Sequence, residues 1–145
     1  MKQNWLKNVA SLIGLMVFLI LAIGSTDETS VEKEVSTQSP SYTISAQKLY
    51  ADYEANEVAA DKKYKGKILV VIGEIDDIGK DITDTIYITL KGNKYFGSIQ
   101  CFFSKDNEDE IVNLSKGNYV AVKGKCDGKF MNILLRGCTL YQVYK

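Results

Sequence analysis

Histidine is absent from this 145-residue chain. With it go the commonest general base, the commonest zinc ligand and the usual partner of a nucleophilic serine or cysteine. Cysteine is scarce: Cys101, Cys126 and Cys138 lie well apart in sequence, so no pair has the short spacing of a structural metal site and no metal is expected. Neither sign of charge prevails, with 18 Lys and Arg against 18 Asp and Glu. Lys2 and Lys7 precede a long apolar run; the chain beyond them therefore has slightly more acid than base, a poor start for a phosphate-binding surface. Carboxylates such as Glu74 and Asp76 have no recognisable catalytic partner, so neither an enzyme nor a cofactor is expected.

What is present begins with the apolar run from Val9 to Ile23, uncharged and preceded by the two lysines. That arrangement predicts translocation of everything carboxyl-terminal to it. The run is short of the roughly 20 residues that span a bilayer comfortably. It ends in Ala22-Ile23-Gly24, which resembles a signal-peptide cleavage site. Residues 1–24 are therefore read as a signal anchor, giving a single-pass cell-membrane protein with its amino terminus inside, or alternatively as a cleaved signal on a secreted or periplasmic protein. Residues 25–42 are polar, rich in Ser and Thr, and contain the only proline, Pro40. They read as a disordered linker.

Order is expected across residues 43–145. Ser45 suits a helix N-cap, with Ile44 and Leu49 placed as a hydrophobic staple. Leu49, Tyr53, Asn56, Ala60 and Tyr64 share one face if the helix continues through Asn56 to a stop at Gly66. Lys67 to Ile75 follows as a strand apolar on both sides, with Gly73 near its end where a strongly curved strand needs a residue lacking Cβ. Glu74 to Asp84 reads as a solvated turn; its four aspartates lack the ligand alternation of a calcium loop. Strands are then expected over Thr85–Leu90 and Phe96–Phe103, a short helix over Asp106–Leu114, and strands over Tyr119–Lys125 and from Met131 to about Val143. Three strands, a helix and two strands is the order of a five-stranded Greek-key barrel, the OB-fold, so the predicted class is mainly β with an extra packing helix.

The run Asn56-Glu57-Val58-Ala59-Ala60-Asp61-Lys62-Lys63-Tyr64-Lys65-Gly66-Lys67, with Gly73, Cys101-Phe102-Phe103 and Val120-Ala121-Val122-Lys123-Gly124-Lys125-Cys126, resembles the tRNA_anti-like OB-fold family. Its members are small bacterial proteins that usually carry a signal or lipoprotein leader. The resemblance implies a barrel related to nucleic-acid-binding domains. This chain has no lipobox cysteine after its apolar run, which leaves that run as the anchor. In such a barrel the third and fifth strands adjoin, so Cys101 with Cys138 is the preferred disulfide over Cys126 with Cys138; three buried thiols are the alternative.

The expected function is a tethered or exported binding or assembly module for a protein, peptide or glycan. Its candidate contacts are Tyr87, Lys91, Lys94, Tyr95 and Phe96, because Gly92 and Asn93 make a permissive turn between charged and aromatic residues. The alternative is a single-strand nucleic-acid binder, with Tyr87, Tyr95, Phe96 and Phe102 stacking bases beside Lys91, Lys94 and Arg136. Charge balance and compartment disfavour nucleic acid as a partner.

Overall fold

One long strand, β2 (Ile68–Lys80), organises the domain. Its β-branched residues suit a pleated surface, and alternate side chains turn inward, where Leu69, Val71 and Ile75 are fully buried. A computed structural model describes residues 27–145. The expected anchor over residues 1–24 lies outside the described residues. Among the described residues no helix is long and apolar enough to cross a membrane.

The first half of β2 pairs antiparallel with β5 (Tyr119–Phe130), from Ile68 opposite Lys125 to Glu74 opposite Tyr119. A register irregularity between Ile75 and Asp77 then hands its second half to β3 (Ile86–Lys91). Antiparallel β3 and β4 (Ser98–Phe103) follow, β4 runs parallel to β6 (Asn132–Tyr144), and β6 returns antiparallel to β5. The circuit β2-β3-β4-β6-β5 closes on β2, giving the five-stranded mixed barrel expected from the strand order. Inside it Ile88, Leu90, Ile99, Val122, Ile133 and Leu135 are fully buried. Each such side chain contributes about 1.5–3 kcal/mol relative to exposure. Gly73 is required by close approach: a Cβ there would lie 2.9 Å from the Ala46 Cβ.

Several expectations need correction. Residues 27–37, read as linker, form helix α1 (Asp27–Thr37). Val35 in it is fully buried, Glu34 pairs with Lys125 at 2.7 Å, and Val31 crosses Gly137 so closely that a Cβ on that glycine would be 2.9 Å from Val31 Cγ1. A short strand β1 (Tyr42–Ser45), also unexpected, lies parallel on β2 from Tyr42 opposite Leu69 to Ser45 opposite Ile72. The single packing helix is two: α2 (Ala46–Ala55) and α3 (Glu57–Tyr64). Asn56 breaks them with extended backbone (φ −164°, ψ 98°), and its side chain accepts from Ala59 N at 3.0 Å, so it is an exposed cap rather than part of a buried face. Leu49, Tyr53, Ala60 and Tyr64 are buried as expected, and Ser45 Oγ accepts from Lys48 N. The hydroxyls of Tyr53 and Tyr64 donate to Asp61 (3.0 Å) and Asp52 (2.6 Å), tying the two helices together.

The supposed turn after Glu74 is strand as far as Lys80. The reversal itself is made by Asp81, whose carboxylate accepts from Thr83 Oγ1, Thr83 N and Thr85 N. The expected helix over Asp106–Leu114 shortens to a 3-10 turn (Lys105–Asn107) and α4 (Glu108–Ile111). Cys101, Cys126 and Cys138 are free, buried thiols in this structure, so neither expected disulfide is formed.

Candidate ligand-binding face

Alternation along β3, β4 and β6 decides which side chains face outward. Ile88, Leu90, Ile99, Cys101, Ile133 and Leu135 are inside, so Tyr87, Lys91, Gln100, Phe102, Leu134 and Arg136 face out. Register places Tyr87 opposite Phe102, and the Arg136 guanidinium stands over the Phe102 ring at 5.2 Å from its centroid. The result is a row of ring, ring and cation crossing three strands. Tyr87 is seated by Gly79, its cross-strand neighbour, where a Cβ would come within 2.8 Å of the tyrosine hydroxyl. Below the row, Asn132 Nδ2 donates to Gln100 Oε1 at 3.2 Å and links β6 to β4.

The basic groups around this face are largely engaged. Arg136 Nε donates to Asp127 at 2.6 Å, and Lys91 Nζ donates to Glu74 at 2.6 Å, a bond that raises the lysine above its ordinary pKa. Asp77 is held below the usual carboxylate range, chiefly by Lys116 at 2.7 Å. Those pairs are half-exposed and screened by solvent, so they add little to stability. They leave the face close to neutral, with charge available for exchange.

The loop joining β3 to β4 forms a second feature. Gly92 N donates to Gly97 O at 3.0 Å, and Asn93 Oδ1 accepts from Tyr95 N (2.9 Å) and Phe96 N (2.5 Å). Tyr95 and Phe96 are consequently displayed to solvent at 75% and 82% exposure. Lys94 Nζ lies 5.4 Å from the Tyr95 ring centroid. With Asp76, Lys91 and Ser98 the loop lines an open depression of about 110 Å³.

The five residues singled out in the sequence therefore fall into two places. Lys91, Lys94, Tyr95 and Phe96 gather at the loop, while Tyr87 sits at the far end of β3, about 13 Å away at ~3.3 Å per residue. Phe102, named only for the nucleic-acid alternative, is Tyr87's cross-strand partner on β4, and Arg136 in turn lies over Phe102. Sequence reading missed Gln100, Asn132 and the seat at Gly79, which only strand register brings together.

No curated protein matches the chain. Among solved structures it is similar to the crystal structure of a candidate nucleic acid-binding lipoprotein from Klebsiella pneumoniae, at 22% identity over 76% of this chain and 97% of that one, with a TM-score of 0.58. That likeness shows the fold. The tRNA_anti-like family model matches residues 1–139, and the chain belongs to the tRNA_anti-like family.

Proposed function

We propose that this domain is a non-enzymatic binding module, that its ligand is an extended chain carrying planar rings, and that single-stranded nucleic acid is the class the outer face suits best. The observation that carries the reading is the row of Tyr87, Phe102 and Arg136. Aromatic rings on a sheet accept stacked bases without regard to sequence, and a guanidinium beside them serves both stacking and phosphate contact. The face belongs to the strands through which OB-folds usually engage oligonucleotides. The name carried by the Klebsiella relative supports the same class.

A second reading has its own observation. Arg136 and Lys91 are already held by Asp127 and Glu74, and the chain beyond Lys7 has sixteen basic against eighteen acidic residues, which favours a protein, peptide or glycan on the same surface. In either case residues 1–24 hold the domain at a membrane with the barrel outside the cytoplasm, a placement supported by the lysines ahead of the apolar run.

Titration of a fluorescein-labelled single-stranded oligonucleotide with the purified chain, followed by anisotropy at low and raised salt, tests the first reading. Saturable, salt-weakened binding that drops roughly tenfold in Phe102→Ala is expected. Absence of binding at low salt, with a protein or glycan recovered by cross-linking in the membrane fraction, would transfer the function to the second.

A further inference from the structure

Apart from the lone Ile82 at the far end, two loop tips on this barrel carry large apolar side chains that the fold does not use. Tyr95 and Phe96 project from the β3–β4 loop, and Phe130 and Met131, 77% and 85% exposed, form the tip of the β5–β6 hairpin. Because β4 and β6 are parallel neighbours, with Ile99 opposite Ile133, the segments that immediately precede them emerge at the same end of the barrel. The four side chains therefore sit on two neighbouring loops at one end of the barrel, as two prongs. Met131 holds φ at 59°, a left-handed conformation that non-glycine residues other than Asn and Asp seldom adopt. A turn built for stability alone would place Asn or Gly there.

We propose that these prongs dip into the interface of a lipid bilayer, giving the tethered domain a second contact with the membrane. This rests on the tethered reading given above. Three observations select lipid as the occupant. Convex tips carrying Phe, Tyr and Met with Lys94 alongside have the composition of an interfacial anchor, whose rings sit at the headgroup level while the ammonium stays in water. In sequence only Gly24, Ser25 and Thr26 lie between the apolar run ending at Ile23 and α1, so a tether made by that run leaves little spare chain before the domain. The opposite end of the barrel is acidic: Asp84, Asp106 and Glu108 are exposed there, and the ion pairs Lys80 to Glu108 and Lys105 to Asp84 tie its two loops together. An anionic lipid surface repels that end and accepts the prongs.

The test uses the full chain in phosphatidylethanolamine and phosphatidylglycerol vesicles. Met131→Cys and Phe96→Cys variants receive an environment-sensitive fluorophore, the three native thiols being buried, and Ile82→Cys at the acidic end is the control. Nitroxide groups on the lipid acyl chains should quench positions 131 and 96 roughly threefold more than position 82. Equal quenching at all three positions in chain that floats with the vesicles overturns the insertion while leaving the tether intact. Chain that fails to float removes the tether and the insertion together. Protection of positions 131 and 96 from aqueous iodide without lipid quenching would also overturn it, assigning the prongs to a protein.

Discussion

The ring of Tyr50 fills the space that a side chain at position 97 would need. A Cβ on Gly97 would stand 2.1 Å from Tyr50 Cε2 and Cζ, and one on Gly92 would stand 2.8 Å from Cγ and Cδ2 of the same ring. One tyrosine of α2 thus pins both ends of the exposed loop. Gly97 also has φ +93°, so replacement by alanine meets both a clash and backbone strain. Gly97→Ala should lose about 2–4 kcal/mol in urea unfolding. Tyr50→Ala combined with Gly97→Ala should cost less than the two single changes added together, since removing the ring removes the clash. Additive losses would mean that the ring does not hold the loop.

The outer side of β2 supplies the next prediction. Ile68 and Val70 point away from the barrel interior yet are 2% exposed, and Ala121 on β5 is buried beside them. The cover is α1, whose Val35 is fully buried and whose Glu34 bonds Lys125, the residue opposite Ile68. Val35→Asp should therefore destabilise the domain by about 2–4 kcal/mol, and Val70→Asp by at least as much, against a total of ~5–15. A melt of Val35→Asp within a degree of wild type would show that α1 is not part of the folded unit.

The same pair of elements shows what the sequence disclosed. That Val70 lies in a strand covered on both sides was legible from its neighbours, because five consecutive apolar residues leave no solvent face. The identity of the cover was not. Helix α1 contributes only Val31 and Val35, four residues apart in an otherwise polar segment, too narrow a stripe to stand out from linker composition. Asn56 was misread for a related reason: it falls on the helical spacing of Tyr53 and Ala60, and only its capping bond to Ala59 N reveals the break. The Phe102 and Arg136 contact joins residues 34 apart through parallel strands, a register that no local pattern encodes.

Asp52 gives a pH dependence. Its carboxylate is bound by Lys48 and by the Tyr64 hydroxyl, which together hold it below the usual carboxylate range, Lys48 most strongly. A depressed folded-state pKa stabilises the protein above the unfolded value of about 4, and the contribution is lost as pH falls through the lower folded value. Asp52→Asn should cost about 1 kcal/mol at neutral pH. The gap to wild type should close as pH drops below about 4. A gap of constant size down to acid would mean that the charge is not what Tyr64 and Lys48 read.

The thiols make a redox prediction. Burial pushes Cys126 and Cys138 above the ordinary thiol range, and the adjacent Cys101 pushes Cys138 further. Folded protein at pH 8 should therefore resist alkylation by roughly 10³-fold or more relative to urea-unfolded protein, in which all three react. Intact mass after alkylation in urea reads the count. Only one reactive thiol would establish the disulfide that the structure lacks.

Arg136 separates charge from shape on the proposed binding face. Its guanidinium both stacks over Phe102 and bonds Asp127 through Nε, two contacts that require a planar, forked group. Arg136→Lys keeps the positive charge but loses the plane, whereas Arg136→Ala loses both. Where stacked bases are the ligand, the lysine variant should bind a single-stranded oligonucleotide nearly as weakly as the alanine variant, each down about tenfold, because base stacking is worth about 1–3 kcal/mol per ring. The two variants should differ instead in salt dependence, the alanine variant having the shallower slope by one phosphate contact. Both should melt within about 0.5 kcal/mol of wild type, since Arg136 is exposed and its ion pair with Asp127 is half-solvated. If lysine restores wild-type affinity in full, Arg136 acts only as a point charge and the row of rings on β3 and β4 is packing rather than a ligand platform.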